Sequence, residues 1–132
     1  NVLLEKKKIK FNKLELAKSK YDQSILIIKN EPNYLYGVAQ RFEAHSLFSR
    51  AIQTYEIGVK LNPNNNYYYQ LAGLYAAQQN IEKMMERYMD YVQTNPPYMN
   101  QVMMLLADYI SEDSSQPHNK LFKKVLLKKL LL

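Results

Sequence analysis

Several residue types are scarce or missing in this chain of 132 residues, which has no cysteine, no tryptophan, three glycines, five prolines and two histidines. Without cysteine, disulfide bridges, thiolate nucleophiles and thiol-bound metals are excluded. No apolar run approaches the ~20 residues that a membrane-spanning helix needs, so we expect no membrane insertion. A glycine-rich phosphate-binding loop is also missing. These absences remove most of the usual sequence signs of an enzyme.

The two histidines, His45 and His118, form no catalytic or metal-binding pattern. Each lies in a predicted turn, and neither has a second ligand-type side chain three or four residues further on. We therefore interpret both as solvated loop histidines. The sequence predicts a protein that is not an enzyme and that holds neither a metal nor a cofactor.

The net charge of +6 is concentrated at the two ends of the chain. Residues 1–29 hold eight lysines against three acidic residues, and residues 111–132 hold five lysines against two. Residues 30–110 have five basic and seven acidic side chains. Nucleic-acid binding through the lysine-rich ends would need one continuous basic stripe with stacking aromatics. Because the basic residues are split, we interpret them mainly as solvated helix faces.

The middle of the chain carries two apolar sets with helical spacing. Leu35, Val38, Ala39 and Phe42 fall at i, i+3, i+4 and i+7, which is one face of an α-helix. A second set follows after a short turn, and the unit ends at Pro63, which disfavours helix in the residue before it. That second set consists of Phe48, Ala51, Ile52, Tyr55 and Val59.

The same unit returns twice further along the chain. The first return keeps both helices, although larger residues replace small ones in its second helix. The second return keeps only its first helix clearly. The matching positions are Tyr68, Leu71, Ala72, Tyr75, Ile81, Met84, Tyr88, Tyr91 and Pro96, and then Val102, Leu105, Leu106 and Tyr109.

This pattern resembles the tetratricopeptide repeat (TPR), a helix pair of about 34 residues, over residues 13–131. The resemblance implies an all-α fold, a right-handed α-solenoid of antiparallel helix pairs with about three repeats and a terminal amphipathic helix. It describes residues 1–132 as one domain, which we interpret as a fragment of a longer solenoid. The segments are an incomplete repeat at 1–31, repeats at 32–63 and 64–96, and a degenerate repeat with a capping helix at 97–132.

The repeat frame predicts about seven helices and several of their end signals. Ser46 replaces the usual glycine of the inter-helix turn and is predicted to cap the following helix through its hydroxyl. Asn80 is the predicted N-cap of a later helix, and Asn64-Asn65-Asn66 a turn. Residues 1–12 are interpreted as the tail of a first helix and 13–30, with Leu14 on its apolar face, as a second helix, which alternatively begins near Lys20. The further helices are predicted at 33–44, 47–61, 66–78, 81–94, 97–110 and 117–131.

Some residues inside these helices carry a specific expectation. Gly37, Gly58 and Gly73 are expected where neighbouring backbones approach closely. The acidic residues of helix 81–94, which are Glu82, Glu86 and Asp90, are expected to face solvent. The last helix has one apolar side and one lysine side. This pattern also occurs in membrane-surface helices, but we favour a helix that caps the open end of the repeats.

In TPR proteins the first helices line a concave groove, and the resemblance assigns such a groove here. The groove lacks the basic residues with which some TPR domains hold a carboxylate, and it carries tyrosines and flexible methionines, which suit a peptide or a partner helix. Asparagine recurs near each helix start, as a helix cap or, less favoured, as a ladder of ligand-reading amides. The assigned residues are Asn33, Tyr36, Gln40, Glu43, Asn66, Tyr69, Gln70, Gly73, Asn100, Met103, Met104 and Ala107.

These observations favour a non-enzymatic protein–protein interaction scaffold that takes part in the assembly of a protein complex. The alternative is a purely structural solenoid segment whose own apolar end helix fills the groove. Residues 54–63 and 67–100 further resemble the C-terminal part of long, envelope-associated TPR proteins of Bacteroidetes-type bacteria. That resemblance implies the periplasm or cell envelope, with the cytoplasm left open.

Overall fold

The computed structural model describes residues 1–64 and 66–131, and in this part of the chain it contains seven α-helices, two single-turn 3-10 helices and no strand. The all-α prediction is therefore confirmed. Asn65, which belongs to the predicted asparagine turn, and Leu132 lie outside the described residues. The α-helices are α1 (Val2–Asn30), α2 (Leu35–Ala44), α3 (Phe48–Leu61), α4 (Tyr68–Ala77), α5 (Ile81–Thr94), α6 (Met99–Leu106) and α7 (Pro117–Leu131).

The chain divides into two compact units, Asn1–Ile57 and Gly58–Leu132, and the division falls inside α3. We call them unit 1 and unit 2 and describe each by itself. A 3-10 helix at Pro32–Tyr34 leads into α2, and a second one at Pro96–Tyr98 leads into α6.

In unit 1, residues 2–30 form one continuous helix of 29 residues, so the predicted division at residue 12 is wrong. No glycine or proline interrupts this stretch, and nothing in it stops an α-helix from propagating. Asn1 caps α1, because its side-chain oxygen accepts a hydrogen bond from the Leu3 amide at 2.9 Å. The helix ends at Asn30, two residues before Pro32.

Only the C-terminal part of α1 is packed. Ile25 and Ile28 are buried, and the Tyr21 ring meets the Phe42 ring of α2 edge to face, with centroids 5.6 Å apart. Leu14, which the spacing predicted on the same apolar face, is 60% exposed. Leu14 is exposed because α2 is too short to cover it: the ten residues of α2 span only about 15 Å, whereas α1 is about 44 Å long.

The turn between α2 and α3 is a Schellman motif, in which two amides bond back to the end of the preceding helix. Ser46 has a φ of 58°, its amide donates to the Glu43 carbonyl at 2.9 Å, and the Leu47 amide donates to the Phe42 carbonyl at 2.8 Å. Ser46 therefore terminates α2 and lies two positions before α3, so the prediction that it caps α3 is wrong. Ala51 of α3 is fully buried, as expected of a small residue at a helix contact.

In unit 2, α4 and α5 form a hairpin around the same type of turn. Gln79 has a φ of 60°, its amide donates to the Ala76 carbonyl at 2.9 Å, and the Asn80 amide donates to the Tyr75 carbonyl at 2.9 Å. The Asn80 side chain accepts a hydrogen bond from the Lys83 amide at 3.3 Å, which confirms it as the N-cap of α5. The pair buries Tyr68, Leu71, Ala72, Leu74, Met84, Met85, Tyr88, Met89, Tyr91 and Val92.

The third repeat departs most from the prediction. Helix α6 ends at Leu106 rather than Ile110, and it buries Val102 and Leu106, whereas Leu105, a predicted core residue, is 36% exposed. Helix α7 packs against α5 and buries Val125.

The acidic side of α5 faces α7 rather than solvent, so that prediction is wrong. Its three carboxylates pair with the lysine side of α7, and Glu86 is only 4% exposed. The pairs are Glu82–Lys124 at 3.0 Å, Glu86–Lys128 at 2.8 Å and Asp90–Lys129 at 2.7 Å.

Candidate partner-binding surface

In unit 1, the predicted groove residues of α2 differ in their solvent exposure and in their hydrogen bonds. Tyr36 is 50% exposed, whereas the Gln40 amide nitrogen donates to the Glu43 carboxylate and to the Tyr55 hydroxyl, both at 3.0 Å. The Tyr55 hydroxyl also donates to Glu43 at 3.2 Å, and burial raises the pKa of Tyr55 well above its ordinary value. Gln40 and Glu43 therefore tie α2 to α3, and Tyr36 is the free aromatic group.

In unit 2, Tyr69 belongs to a group of four rings that we call the tyrosine cluster, namely Tyr69, Tyr88, Tyr91 and Tyr98. The Tyr69 ring lies 6.2 Å from Tyr88 and 5.4 Å from Tyr91, and the Tyr91 ring lies 5.5 Å from Tyr98. Tyr88 and Tyr91 are buried, whereas Tyr69 and Tyr98 remain 39% and 46% exposed. The cluster is thus anchored in the core of unit 2 and presents two tyrosines at the surface.

Burial raises the pKa of Tyr88 and of Tyr91, and neighbouring tyrosines of the cluster add to the effect. Both hydroxyls therefore stay protonated at neutral pH. The repeat pattern assigns only Tyr69 of these four residues to the groove, and it places Tyr91 where the family has a small residue. The spacing of Tyr88 and Tyr91, at i and i+3 on one helix face, was the signal that could have identified the cluster.

Gln70 and Gly73 lie three residues apart on α4, and thus on the same side of the helix. The Gln70 side-chain oxygen is buried and has no hydrogen-bond donor among the described residues. An added Cβ at Gly73 would meet no atom within 4 Å, and the same holds at Gly37. The prediction that backbone packing requires these two glycines is therefore wrong. Gly58, in contrast, is buried.

Helix α6 exposes the methionines assigned to the groove. Met103 is 37% exposed and Met104 is 77% exposed, and Met99, which the sequence analysis did not single out, is 44% exposed. Asn100 and Ala107 are exposed as well. Tyr98, at the edge of the tyrosine cluster, directly precedes α6.

The favoured explanation of the three asparagines, helix capping, is wrong. The N-cap positions of α2, α4 and α6 are occupied by Tyr34, Tyr67 and Tyr98, and none of these helices has a side-chain cap. Asn66 instead accepts a hydrogen bond from the Asn95 side chain at 3.3 Å, and Asn100 is the second residue of α6. The residue that recurs at the same position is tyrosine.

The histidines and acidic residues form no metal-binding group among residues 1–64 and 66–131. His45 is exposed in the α2–α3 turn, whereas His118 is the second residue of α7 rather than part of a turn, and it is also exposed. No group of three or more histidine, aspartate or glutamate side chains within these ranges is arranged to hold a metal ion. None of the helices described is long and apolar enough to cross a membrane.

Comparison of the chain with protein-family models, with curated proteins and with solved structures finds no match. The TPR resemblance therefore depends on the residue pattern described above.

Proposed function

We propose that the protein is a non-enzymatic interaction scaffold that binds a peptide segment or a helix of a partner protein and thereby helps to assemble a protein complex. The binding surface is the neutral tyrosine and methionine face of α2, α4 and α6. In this proposal the helix pairs stack as a right-handed, TPR-like solenoid, so that this face becomes the concave groove. Stacked helix pairs provide extended surfaces of this kind.

The observation that carries the proposal is the exposure of large apolar side chains on helices that bury their other side. Tyr36 and Met104 are 50% and 77% exposed, whereas Leu35 and Leu106 on the same helices are buried. Exposed aromatic and apolar patches on soluble proteins often mark interaction sites. Tyrosine is also among the residues that contribute most to binding energy at interfaces.

Gly73 and Gln70 of α4 support the same face. A glycine inside a helix costs about 1 kcal/mol relative to alanine, and no neighbouring atom explains the one at Gly73. An unpaired buried oxygen such as that of Gln70 costs about 1–3 kcal/mol. A partner whose backbone approaches Gly73 would account for the first cost, and rotation of the Gln70 side chain toward that partner would let its oxygen accept an N–H.

Two other functions have less support. In the structural alternative the apolar end helix fills the groove, but α7 packs against α5, and Tyr69 on α4 stays 39% exposed. In the nucleic-acid alternative the lysine-rich ends of the chain bind phosphates. At the C-terminal end, however, Lys124, Lys128 and Lys129 already pair with acidic side chains of α5.

The test compares the affinity for the isolated partner before and after removal of exposed groove side chains. We expect Tyr36→Ala combined with Met104→Ala to weaken binding by more than about 1 kcal/mol, the scale of an interface hot spot. Calorimetry measures the affinity, and a thermal melt checks that folding survives. These positions are better suited than Tyr69, whose ring packs on two other tyrosines.

The matched control is Leu61→Ala, which removes a side chain that is 51% exposed on α3. It should leave the affinity unchanged. An unchanged affinity in the double variant, or an equal loss of affinity in the control, would show that the partner does not bind at the exposed residues of α2 and α6.

A further inference from the structure

The N-terminal half of α1 carries an uncovered apolar stripe. Leu4, Phe11 and Ile25 are separated by multiples of seven residues, as are Leu14 and Ile28, so all five lie along one stripe of the helix. Lys7 and Lys18 lie on the same stripe, which is therefore apolar at three of the five positions of its open part. Ile25 and Ile28 are buried in unit 1, whereas every residue of α1 from Val2 to Leu16 is exposed. We call Leu4, Phe11 and Leu14, which are 54%, 61% and 60% exposed, the α1 seam.

At its C-terminal end, the stripe on α1 is covered by another helix, α2. At Tyr21, Ile25 and Ile28 the stripe lies in the part of α1 that packs against α2, through contacts such as that between the Tyr21 and Phe42 rings. Beyond α2 the open part, from Leu4 to Lys18, is about 21 Å long, or about four helical turns. This length fits a second helix laid along α1.

A cleft of about 320 Å³ lies where the open part of the stripe reaches α2. Tyr21, Phe42 and Leu47 give it apolar walls, and its lining also includes Lys20, Arg41 and His45. Neither Lys20 nor Arg41 forms an ion pair with any described residue. The cleft can therefore take an apolar side chain that has carboxylates beside it.

The positive charge along α1 favours an acidic binding partner. Residues 1–20 contain seven lysines and only two acidic residues, Glu5 and Glu15. Pairing with a second copy of α1 would bring lysines against lysines, which is unfavourable. A membrane-surface helix needs one apolar face, but Val2, Ile9 and Leu16 lie on the side of α1 opposite the seam.

We propose that the α1 seam and this cleft together bind an acidic amphipathic helix of a partner protein. The apolar side of that helix covers Leu4, Phe11 and Leu14, and one of its apolar side chains enters the cleft. Its aspartates and glutamates pair with the lysines of α1 and with Arg41. This surface is separate from the neutral tyrosine and methionine face, and its partner has different chemistry.

The test uses two labelled synthetic peptides of about three heptads, with leucine at positions a and d. One has glutamate at the flanking e and g positions and the other has lysine there. Fluorescence anisotropy measures their binding to the full chain. We expect the glutamate peptide to bind at least about tenfold more tightly than the lysine peptide. Lys8 and Lys10 flank the seam and Lys7 and Lys18 lie within the stripe, whereas Glu15 is the one acidic residue beside it.

Leu14→Glu and Leu16→Glu form a matched pair, because the two leucines are 60% and 58% exposed and lie on opposite faces of α1. Leu14→Glu should weaken binding of the glutamate peptide by about tenfold or more, as expected for loss of one buried leucine contact. Leu16→Glu should change it by less than about twofold. Arg41→Gln, which changes the cleft alone, should also weaken binding.

Several results would overturn the proposal. The glutamate peptide could fail to bind at all, both peptides could bind equally, or the two leucine substitutions could have equal effects; each of these outcomes contradicts the proposal. A dimer in sedimentation that Leu14→Glu dissociates would instead show that a second copy covers the seam. Binding to phosphatidylserine vesicles that Leu14→Glu abolishes would assign the seam to a membrane surface.

Discussion

At the scale of single residues, Ser46 and Gln79 show that the two helix hairpins use one turn geometry with different residues. Both have a positive φ, near 60°, at the second residue after the end of the first helix. This left-handed conformation costs an L-residue about 1 kcal/mol or more, and glycine avoids that cost. The repeat pattern indicates a turn at Ser46, where the family has glycine, but Gln79 gives no such signal, because glutamine is common in helices.

We expect Ser46→Gly and Gln79→Gly each to raise the free energy of unfolding by about 0.5–1 kcal/mol, because glycine relieves the strained conformation. Urea denaturation measures the change. Gln53→Gly, in the middle of α3, is the control and should lower the free energy of unfolding by about 1 kcal/mol. Destabilisation by Ser46→Gly or Gln79→Gly would contradict the assigned turn geometry.

Gly73 provides a second residue-scale prediction in which stability and binding move in opposite directions. Gly73→Ala should raise the free energy of unfolding by about 0.5–1 kcal/mol, because it favours helix and there is space for the methyl group. The affinity for the partner should fall, because the methyl group occupies the space proposed for the partner backbone. Higher stability with unchanged affinity would remove Gly73 from the binding surface.

At the scale of elements, the contact between α5 and α7 combines apolar burial at Val125 with three ion pairs. Burial alone would raise the pKa of Glu86, but the hydrogen bond from Lys128 and the charges of Lys83 and Lys128 outweigh it and lower the pKa. The same hydrogen bond raises the pKa of Lys128. Glu86 is thus held ionised at the centre of this contact.

We expect Glu86→Gln to lower the free energy of unfolding by about 1.5–3 kcal/mol at pH 7, the scale of a hydrogen bond to a charged group. Because the folded pKa of Glu86 lies below its unfolded value, its contribution is complete above the unfolded pKa. It is lost as the pH falls through the folded pKa. The difference between variant and native protein should therefore shrink on acidification, as measured by urea denaturation from pH 7 to pH 3.

Glu82→Gln is the matched control on the same helix. Its carboxylate is 39% exposed, and its partner Lys124 is 67% exposed. The change should cost no more than about 0.5 kcal/mol. Equal costs at the two positions would show that burial does not strengthen the Glu86 pair.

At the scale of the whole molecule, local patterns predicted most of the helices, and long-range contacts explain most of the failures. The spacing of apolar residues and the Asn80 cap act within a few residues, so they could be recognised in the sequence. The Glu86–Lys128 pair joins residues 42 positions apart. Each charge taken alone is typical of a solvent-exposed helix face, and only the packing of α7 on α5 brings them together.

The candidate surface was predictable to a smaller extent. Tyr36, Tyr69, Met103 and Met104 are exposed, and their assignment to one binding face stays a prediction. Tyr69 contacts two tyrosines of α5 only because α4 and α5 pack together. The stripe on α1 is open because α2 ends before it reaches the N-terminal half of α1. Periodicity indicates that a helix has an apolar face, but it does not show whether another helix covers that face.

The most direct test of the proposed function is site-specific photo-cross-linking in cells with benzoyl-phenylalanine in place of single exposed residues. We expect substitution at Tyr36 and at Met104 to capture the same partner protein, because both are exposed and assigned to one binding face. The same probe at Leu61 on α3 or at Leu127 on α7, also exposed, should not capture it. Capture of that partner from Leu61 or Leu127, with none from Tyr36 and Met104, would contradict the proposed binding surface.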